Sequence, residues 1–381
     1  MIKFGWRYSL KYPLMFILFI ALRRIIKFIL ETYVADKGMK FSFLMVTLMF
    51  IIETIIGSLF LLYKRIKNGP SLNSKFLGIS MRKHYKILDR PDKNFKIILL
   101  IFFAAYFMNV GALSRRLIIN KDNNDIYDEY HARYRSSEII ISSILCFFTL
   151  RNKIYKHHIF ALIIISICLI IVFISGIILE KDDRESLILN ILITLVSSLC
   201  RSFLDTIEKY LFQYDFIDIY KLIIFEGWIE TLLSLTLFFL PKPQEQIKKL
   251  FDVNQKQFFG IVGLLVLYSI FSGFKNIYRR FTVKEFTPMT RALAESILDP
   301  FFIINGFYEN GFNNMPNFII TLICSFIMVF CSCVYNEIFV LYCFGLEYNT
   351  HLAVANNNTS QSFLELSDDS ERNSNIDNFS L

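Results

Sequence analysis

Charged side chains are scarce in this chain of 381 residues, since Asp, Glu, Lys and Arg make up only 19% of it. Hydrophobic residues make up 54%, whereas a soluble domain has roughly 45–50% apolar and about 25% charged residues. Two soluble cores could not bury 41 Phe together with the long runs of Ile and Leu. The composition therefore excludes a soluble two-domain protein and predicts a membrane protein.

Residues that would indicate an enzyme or a disulfide scaffold are also few. The five His fall outside the apolar stretches: His84, His131, His157 and His158 are expected in loops and His351 in a C-terminal tail. This leaves no His inside the membrane for general-base or metal chemistry. The seven Cys lie in or beside apolar stretches, which favours small apolar side chains over disulfides. Without a GxSxG or phosphate-binding Gly motif, we expect no cofactor and no metal site.

Positive charge is concentrated in short segments between apolar stretches, although the net charge of +8 could suggest nucleic acid. Such segments are typical of cytoplasmic loops, so no nucleic-acid partner is expected. Residues 1–12, 64–95 and 151–157 are basic, whereas the stretch DNNDIYDEY within the loop 115–134 and residues 180–185 are acidic-leaning. The amino terminus is therefore predicted to be cytoplasmic. Basic residues interrupt the first apolar stretch, so we expect that helix to direct insertion in place of a cleavable signal peptide.

Ten stretches are long enough to cross a bilayer, which needs about 20 residues. They are 13–34, 41–63, 96–114, 135–150, 158–179, 187–207, 219–240, 257–275, 289–307 and 317–344. We divide the chain into a cytoplasmic N-terminus (1–12), two halves of five helices (13–179 and 187–344) and a polar tail (345–381) that we expect to be disordered and cytoplasmic. The fold class is all-α and polytopic, and Gly260, Gly263 and Gly273 in the eighth helix would permit close packing.

An internal repeat relates the two halves. A shift of 177 positions without a gap superposes helices one and two on helices six and seven. The polar matches are the informative ones: Arg24 with Arg201, Glu31 with Glu208, Glu53 with Glu230 and Thr54 with Thr231. Five helices separate the copies, so the second copy must be inverted. Inverted repeats are typical of secondary transporters, which bind substrate between the halves near the membrane midplane.

Three segments resemble the drug/metabolite transporter superfamily (EamA-like carriers). Residues 133–176 (RYRSSEIIISSILCFFTLRNKIYKHHIFALIIISICLIIVFISG) resemble its fourth and fifth helices. Residues 207–235 resemble its sixth-to-seventh segment, and 278–300 (YRRFTVKEFTPMTRALAESILDP) its eighth-to-ninth connection. The branch that this pattern looks most like is solute-carrier family 35 and related nucleotide-sugar-transporter-like proteins.

The resemblance implies a ten-helix carrier that works by alternating access, commonly as an exchanger in an internal membrane such as the Golgi, the endoplasmic reticulum or a vacuole. Its partners would be membrane lipids and a small-molecule substrate, and homodimer formation is left open. The basic residues permit an anionic solute such as a nucleotide sugar, but they permit amino acids and other metabolites as well. An integral-membrane enzyme and a non-transporting scaffold or receptor are the competing classes.

Two polar clusters are candidate substrate-binding sites, because charges inside a membrane usually face a cavity or a partner. Arg291 and Glu295 are four residues apart and share a helix face. Arg291 could bind an anionic substrate group, or the two could form only an ion pair. Arg135, Ser136, Ser137 and Glu138 begin the fourth helix. They could contact substrate, or they could form a helix cap from which Arg135 reaches the interface.

Other intramembrane charges have two readings each. Glu53, Glu226 and Glu230 could couple transport to protons, or they could pair with Arg24, Arg201 or Lys209. Structural salt bridges are the preferred reading for two further sets: the ladder Arg201, Asp205 and Lys209, and the pair Lys27 and Glu31. Lys275, Tyr278, Arg279 and Arg280 are predicted to anchor the cytoplasmic end of the eighth helix, with attraction of phosphate-bearing substrates as the alternative.

Overall fold

The computed structural model describes most of the chain outside its loops and termini. The described residues are 2–4, 11–34, 41–68, 91–118, 132–179, 184–236, 239, 244, 247–248, 250–251, 253–309 and 315–341. Within them the helices are α1 (Lys11–Val34), α2 (Ser42–Asn68), α3 (Pro91–Ile118), α4 (Ser137–Leu150), α5 (Lys156–Leu179), α6 (Arg184–Gln213), α7 (Ile219–Thr236), α8 (Gln255–Glu285), α9 (Pro288–Ser296), α10 (Asp299–Glu309) and α11 (Met315–Tyr335). Two strands, β1 (Ile2–Phe4) and β2 (Phe339–Leu341), accompany them. The predicted all-α class is confirmed apart from this short ribbon.

Six of the described helices are long and apolar enough to cross a membrane. The qualifying stretches are Phe43–Lys67, Asn94–Ala112, Lys156–Leu179, Ile188–Gln213, Gln257–Glu285 and Met315–Tyr335. Their outer surfaces are apolar as well. On α5, for example, Ile159, Ile163, Ile167, Ile170 and Ile174 are each about half exposed. An apolar surface of this extent would aggregate in water, whereas lipid accommodates it.

The remaining helices are α1, α4, α7, α9 and α10, and their sequences carry charge or are short. α7 has three charged residues within 18, Lys221, Glu226 and Glu230, and α4 has only 14 residues. In both helices Glu side chains point into the protein, because Glu138, Glu226 and Glu230 are fully buried. The helices that fail a simple hydropathy criterion therefore contribute much of the buried charge.

Five pairs of helices account for the most extensive packing contacts. The most extensive contacts join α1 to α8, α3 to α6, α5 to α11, and α2 to both α7 and α8. α4 packs against α6 and contacts α9, and α9 also contacts α1. The charged faces of α4, α6, α7, α8 and α9 consequently meet in the interior.

Small residues allow α2 and α7 to approach closely. A Cβ atom on Gly227 of α7 would collide with the Thr54 hydroxyl of α2, and one on Gly57 would lie 2.6 Å from Ile223. Of the three glycines predicted to permit close packing, a Cβ atom on Gly260 would lie 2.9 Å from the Tyr33 hydroxyl and one on Gly273 would lie 3.5 Å from the Glu53 backbone. A Cβ atom on Gly263 would have no described atom within 4 Å. The packing role predicted for Gly263 is therefore wrong.

The ninth predicted helix, 289–307, is two helices. Thr287 caps α9 by accepting a hydrogen bond from the Thr290 amide at 3.2 Å, and Pro288 occupies the first turn, a favourable arrangement at a helix start. α9 ends at Ser296 and α10 starts at Asp299, immediately before Pro300. Proline cannot donate the backbone hydrogen bond that a continuous helix needs, so the helix is interrupted there.

Two further predicted boundaries differ from the structure. The last helix, predicted over 317–344, ends at Tyr335, and β2 pairs antiparallel with β1, Phe4 opposite Phe339. The eighth helix, predicted to end at 275, continues to Glu285, because Lys275, Arg279 and Arg280 are buried and paired in the interior. Most of the basic loop, residues 69–90, lies outside the described residues, as do 119–131, 180–183 and 342–381, which include His84, His131 and His351.

Candidate functional site

Arg291 of α9 lies at the centre of a buried ion-pair network. Its Nη1 atom lies 2.5 Å from Glu138 Oε2 of α4 and 3.2 Å from Glu295 Oε2 of its own helix. Its Nε atom donates to Asp205 Oδ2 of α6 at 2.5 Å. Arg291 is 1% exposed, so the interaction is shielded from water. Arg291 therefore joins three helices, and the reading in which it pairs only with Glu295 is wrong.

Glu295 extends the network to α6 and α8. Its Oε2 atom lies 2.5 Å from Arg201 Nη1, and its Oε1 atom lies 2.9 Å from Lys275 Nζ. Arg201 Nη1 also lies 3.3 Å from Glu138 Oε1. Glu138 and Glu295 are thus each shared between cations of different helices. We call Arg201, Lys275 and Arg291 with Glu138, Asp205 and Glu295 the first layer.

The turn before α4 borders this layer. Arg135 is buried and lies 2.8 Å from Asp299 of α10, and it donates to the Glu295 carbonyl at 3.2 Å. Through the second contact it satisfies a backbone oxygen beside the break between α9 and α10, as a buried helix end requires. The interfacial position predicted as an alternative for Arg135 is therefore wrong. Ser136 makes no capping hydrogen bond through its side chain, and Ser137 is buried beside Glu138.

A second layer surrounds Arg280 of α8, which is fully buried. Its guanidinium contacts four carboxyl groups from three helices: Glu53 of α2, Glu208 of α6, and Glu226 and Glu230 of α7. Glu226 is 2.7 Å and Glu230 3.5 Å from Nη2. Glu53 also accepts a hydrogen bond from Asn276 at 2.6 Å. Arg280 and these four glutamates are the second layer.

Arg279 connects the two layers. Its Nη2 atom lies 2.5 Å from Glu208 Oε1 in the second layer, and its Nη1 atom pairs with Asp205 in the first. Asp205 also pairs with Arg291. A change in the ion pairs of one layer can therefore affect the other layer through the guanidinium of Arg279 and the carboxylate of Asp205.

The cytoplasmic anchor predicted for Arg279 and Arg280 is contradicted by this arrangement, since both are buried. The predicted ladder is also wrong, because Arg201 and Asp205 pair with other helices and Lys209 donates to the carbonyls of Lys284 and Phe286 at 2.8 and 2.6 Å. The partners suggested for Glu226 and Glu230 were Arg24, Arg201 or Lys209, whereas the structure gives Arg280. The pair Lys27 and Glu31 is confirmed at 3.3 Å.

A cavity opens beside the first layer, with about 710 Å³ of empty volume including its mouth. Its cationic lining residues are Arg23, Arg201, Lys275, Arg279 and Arg291. Asp205 and Glu295 are the acidic lining residues. Apolar and aromatic lining residues include Met45, Met49, Met108, Phe107 and Tyr268. A lining that mixes apolar side chains with a few polar groups is typical of small-molecule sites.

All nine candidate residues from the sequence are buried, and the structure divides them between the layers. Arg291, Glu138 and Glu295 are in the first layer, with Arg135, Ser136 and Ser137 beside it, and Glu53, Glu226 and Glu230 are in the second. Only Arg291 and Glu295 line the cavity. The sequence reading assigned no substrate role to Asp205 or Glu208, and only a minor one to Arg279. Lys275 and Arg279 are four residues apart on an apolar helix, and this spacing alone indicates that they share a cationic helix face.

A separate group of possible metal ligands lies where α5 begins and α11 ends. His157, His158 and Glu337 each present a ligand atom within 4.8 Å of the others. His157 Nε2 lies 3.3 Å from Glu337 Oε1. His158 Nδ1 accepts a hydrogen bond from the Tyr155 amide at 3.2 Å, which leaves the proton on Nε2 rather than a lone pair for a metal. The loop position predicted for both His is wrong, because they lie in the first turn of α5.

Comparison with known proteins gives no family. No family model and no curated protein matches the chain. Solved structures do match, and one of them is described only as a crystal structure of protein. It aligns with a TM-score of 0.47 and 9% identity over 85% of this chain and 94% of that chain. The function must therefore be argued from the site itself.

Proposed function

We propose that this protein is a secondary carrier that moves a small polar, anionic metabolite, such as a nucleotide sugar, across an internal membrane by alternating access. The observation that carries the proposal is the cavity beside the first layer, whose lining combines cationic and apolar side chains inside a helical membrane protein. Buried intramembrane charges that line a cavity are typical of substrate pathways. The resemblance to the drug/metabolite transporter superfamily agrees with this function.

The helix contacts support two inverted five-helix repeats. In the proposed repeat the counterpart of α1 is α6, that of α3 is α8, and that of α4 is the broken pair α9 and α10. The contact between α1 and α8 therefore corresponds to the contact between α6 and α3. The contact between α4 and α6 corresponds to the contact between α9 and α1. All four contacts are present. Such exchange symmetry is what an inverted-repeat carrier needs to open alternately to each side.

The ribbon of β1 and β2 supports an even number of membrane crossings. Phe4 pairs with Phe339, so the two ends of the helical region lie on the same side of the protein. Ten crossings, with the broken pair α9 and α10 forming one of them, satisfy this condition. The basic segment 1–12 would then be cytoplasmic.

The lining of the cavity supports the chemical class of the substrate. Arginine binds phosphate and carboxylate groups through two parallel hydrogen bonds. Arg201, Arg279 and Arg291 line the cavity, and an anionic substrate would replace carboxylates that pair with them. Lys275 adds a point charge. The Met and aromatic side chains of the lining can contact a base or another flat apolar group. A substrate with both an anionic and an apolar part therefore fits this lining.

A ligand panel tests this function and separates it from its competitors. Purified protein is heated with nucleoside monophosphates, nucleotide sugars, sugar phosphates or amino acids, and ligands that bind raise its unfolding temperature. We expect anions with an apolar part to stabilise it, and Lys275→Gln to weaken the best ligand about tenfold or more, since a bond to a charged group is worth roughly 1.5–3 kcal/mol. Lys27→Gln, outside the cavity, is the matched control.

Uptake of the best labelled ligand into proteoliposomes then distinguishes the classes. A carrier accumulates the ligand unchanged, an enzyme converts it, and a scaffold does neither. Stabilisation by neutral solutes alone would contradict the anionic class, and conversion without uptake would contradict the carrier.

A further inference from the structure

The second layer holds more carboxyl groups than its cations can neutralise. Arg279 and Arg280 face Glu53, Glu208, Glu226 and Glu230, and all four glutamates are fully buried. Asp205 shares Arg279, but it also pairs with Arg291. A buried carboxylate without a compensating cation costs several kcal/mol, so such a group binds a proton instead.

The contacts of the two arginines favour Glu53 and Glu208 as the ionised carboxyl groups. Glu53 has a partner on each oxygen, Arg280 and Asn276. Glu208 receives both Arg279 and Arg280 on Oε1, at 2.5 and 3.1 Å. These two glutamates balance the two arginines. Glu226 and Glu230 are then in excess.

Among the described residues, three buried carboxyl oxygens of the second layer have no hydrogen-bond donor. No donor reaches Glu226 Oε1 or Glu230 Oε2, although both atoms are buried, and Glu208 Oε2 is likewise without a donor. Glu208 and Glu226 also converge on one donor, because Arg280 Nε lies 3.1 Å from Glu208 Oε1 and 2.9 Å from Glu226 Oε2. Two carboxylates held this close repel each other, which disfavours the ionisation of both. A proton on Glu226 removes this repulsion.

We propose that Glu226 and Glu230 form a proton-binding site, in which both carry protons while Glu53 and Glu208 are ionised. The charged groups around the site are Glu53 of α2, Asp205 and Glu208 of α6, and Arg279 and Arg280 of α8. From α3, which also packs on α7, neutral Asn109 donates to the Glu230 carbonyl at 3.3 Å.

The site can respond to the cavity through Arg279. An anion that contacts Arg279 weakens its bond to Glu208, and the carboxyl groups of the second layer then bind protons more strongly. Anion and proton would therefore favour each other's binding, as linkage requires. This coupling rests on the proposed function, whereas the protonation itself does not.

Infrared spectroscopy of the full-length protein in lipid nanodiscs tests the protonation without any ligand. At neutral pH we expect a carbonyl band of protonated carboxyl groups that shifts in D2O. The band should weaken in Glu226→Gln and in Glu230→Gln. It should be unchanged in Glu31→Gln, the repeat counterpart of Glu208, which lies near the surface beside Lys27. An identical band in the wild type and in both core variants would overturn the proposal, whatever the outcome of transport assays.

Thermal unfolding gives an independent readout for the same variants. Glu226→Gln replaces one neutral group by another, so its unfolding temperature should stay close to that of the wild type. Glu53→Gln removes an ionised partner of Arg280 and should lower the unfolding temperature clearly. A fall in Glu226→Gln as large as that in Glu53→Gln would overturn the proposal, because it would mean that Glu226 is also ionised.

Discussion

Arg291 Nη1 of α9 lies 2.5 Å from Glu138 Oε2 of α4. The two residues belong to the two polar clusters that the sequence indicates as separate helix starts, and under the proposed repeat they lie on corresponding helices of the two halves. Their contact makes the clusters one site at the junction between the halves. A carrier that rocks one half against the other would have to rearrange this pair.

Removal of Arg291 should destabilise the protein because three buried carboxyl groups, rather than one, lose a partner. Arg291→Ala leaves Glu138, Asp205 and Glu295 without this partner, and breaking a buried pair in this way costs about 3–5 kcal/mol. Glu295→Ala added to it should recover only part of the loss, because Asp205 and Glu138 remain. Thermal unfolding of both single variants and the double variant measures the coupling. Complete recovery of the unfolding temperature in the double variant would mean that Arg291 contributes only an ion pair with Glu295.

The close approach of α2 and α7 should be sensitive to one added methyl group. Gly227→Ala places a Cβ atom against the Thr54 side chain, with the Thr54 Cα only 3.5 Å away. We expect a loss of about 1–3 kcal/mol, the usual cost of overpacking. Gly263→Ala, with nothing within 4 Å, is the matched control and should not lower the unfolding temperature. Equal unfolding temperatures of the two variants would contradict the close contact between Gly227 and Thr54.

The sequence predicts helix positions well because runs of apolar residues determine them directly. It fails at Glu285 and Pro300 for different reasons. The end of α8 is charged, and hydropathy alone cannot distinguish charges that face solvent from charges that meet carboxylates of other helices. The break before Pro300 follows from a single residue in an otherwise apolar stretch.

The candidate site was predictable in kind but not in its pairings. Intramembrane charge correctly identified Arg291, Glu295 and Glu138 as interior residues, since charge is costly in lipid. The partner of each charge depends on how helices distant in sequence pack. For that reason the sequence predicts that Arg280 anchors the cytoplasmic end of the eighth helix, whereas in the structure Arg280 contacts four glutamates.

Lys64 and Asp218 join the ends of α2 and α7 at 2.7 Å and should give a small pH-dependent stabilisation. Burial alone would raise the pKa of Asp218, but hydrogen bonds from Lys64 and from the Tyr220 amide outweigh it and lower the pKa. A lowered folded-state pKa means that the contribution is present above the unfolded value of about 3.9 and is lost as the pH falls through the folded one.

Asp218→Asn tests this charge while keeping a side chain that can cap α7. We expect a loss below about 1 kcal/mol at neutral pH, because both side chains are partly exposed. The loss should vanish in acid. Unfolding temperatures at neutral and acid pH give the comparison, and a deficit that persists in acid would assign the effect to the cap.

Proton coupling predicts how transport depends on pH. Uptake of an anion into proteoliposomes should fall as the external pH is raised above neutral, because Glu226 then loses the proton that accompanies the substrate. In Glu226→Gln uptake should no longer vary with pH, whereas Glu31→Gln should behave like the wild type. The same pH slope in wild type and Glu226→Gln would remove Glu226 from the coupling.

Counterflow tests the carrier function most directly. Proteoliposomes are preloaded with the unlabelled anion that stabilises the protein most, and a trace of the labelled anion is added outside. The account predicts transient accumulation of label above equilibrium, reduced in Lys275→Gln and retained in Lys27→Gln. Equilibration at the rate of protein-free liposomes, with folded protein that still binds the anion, would contradict it.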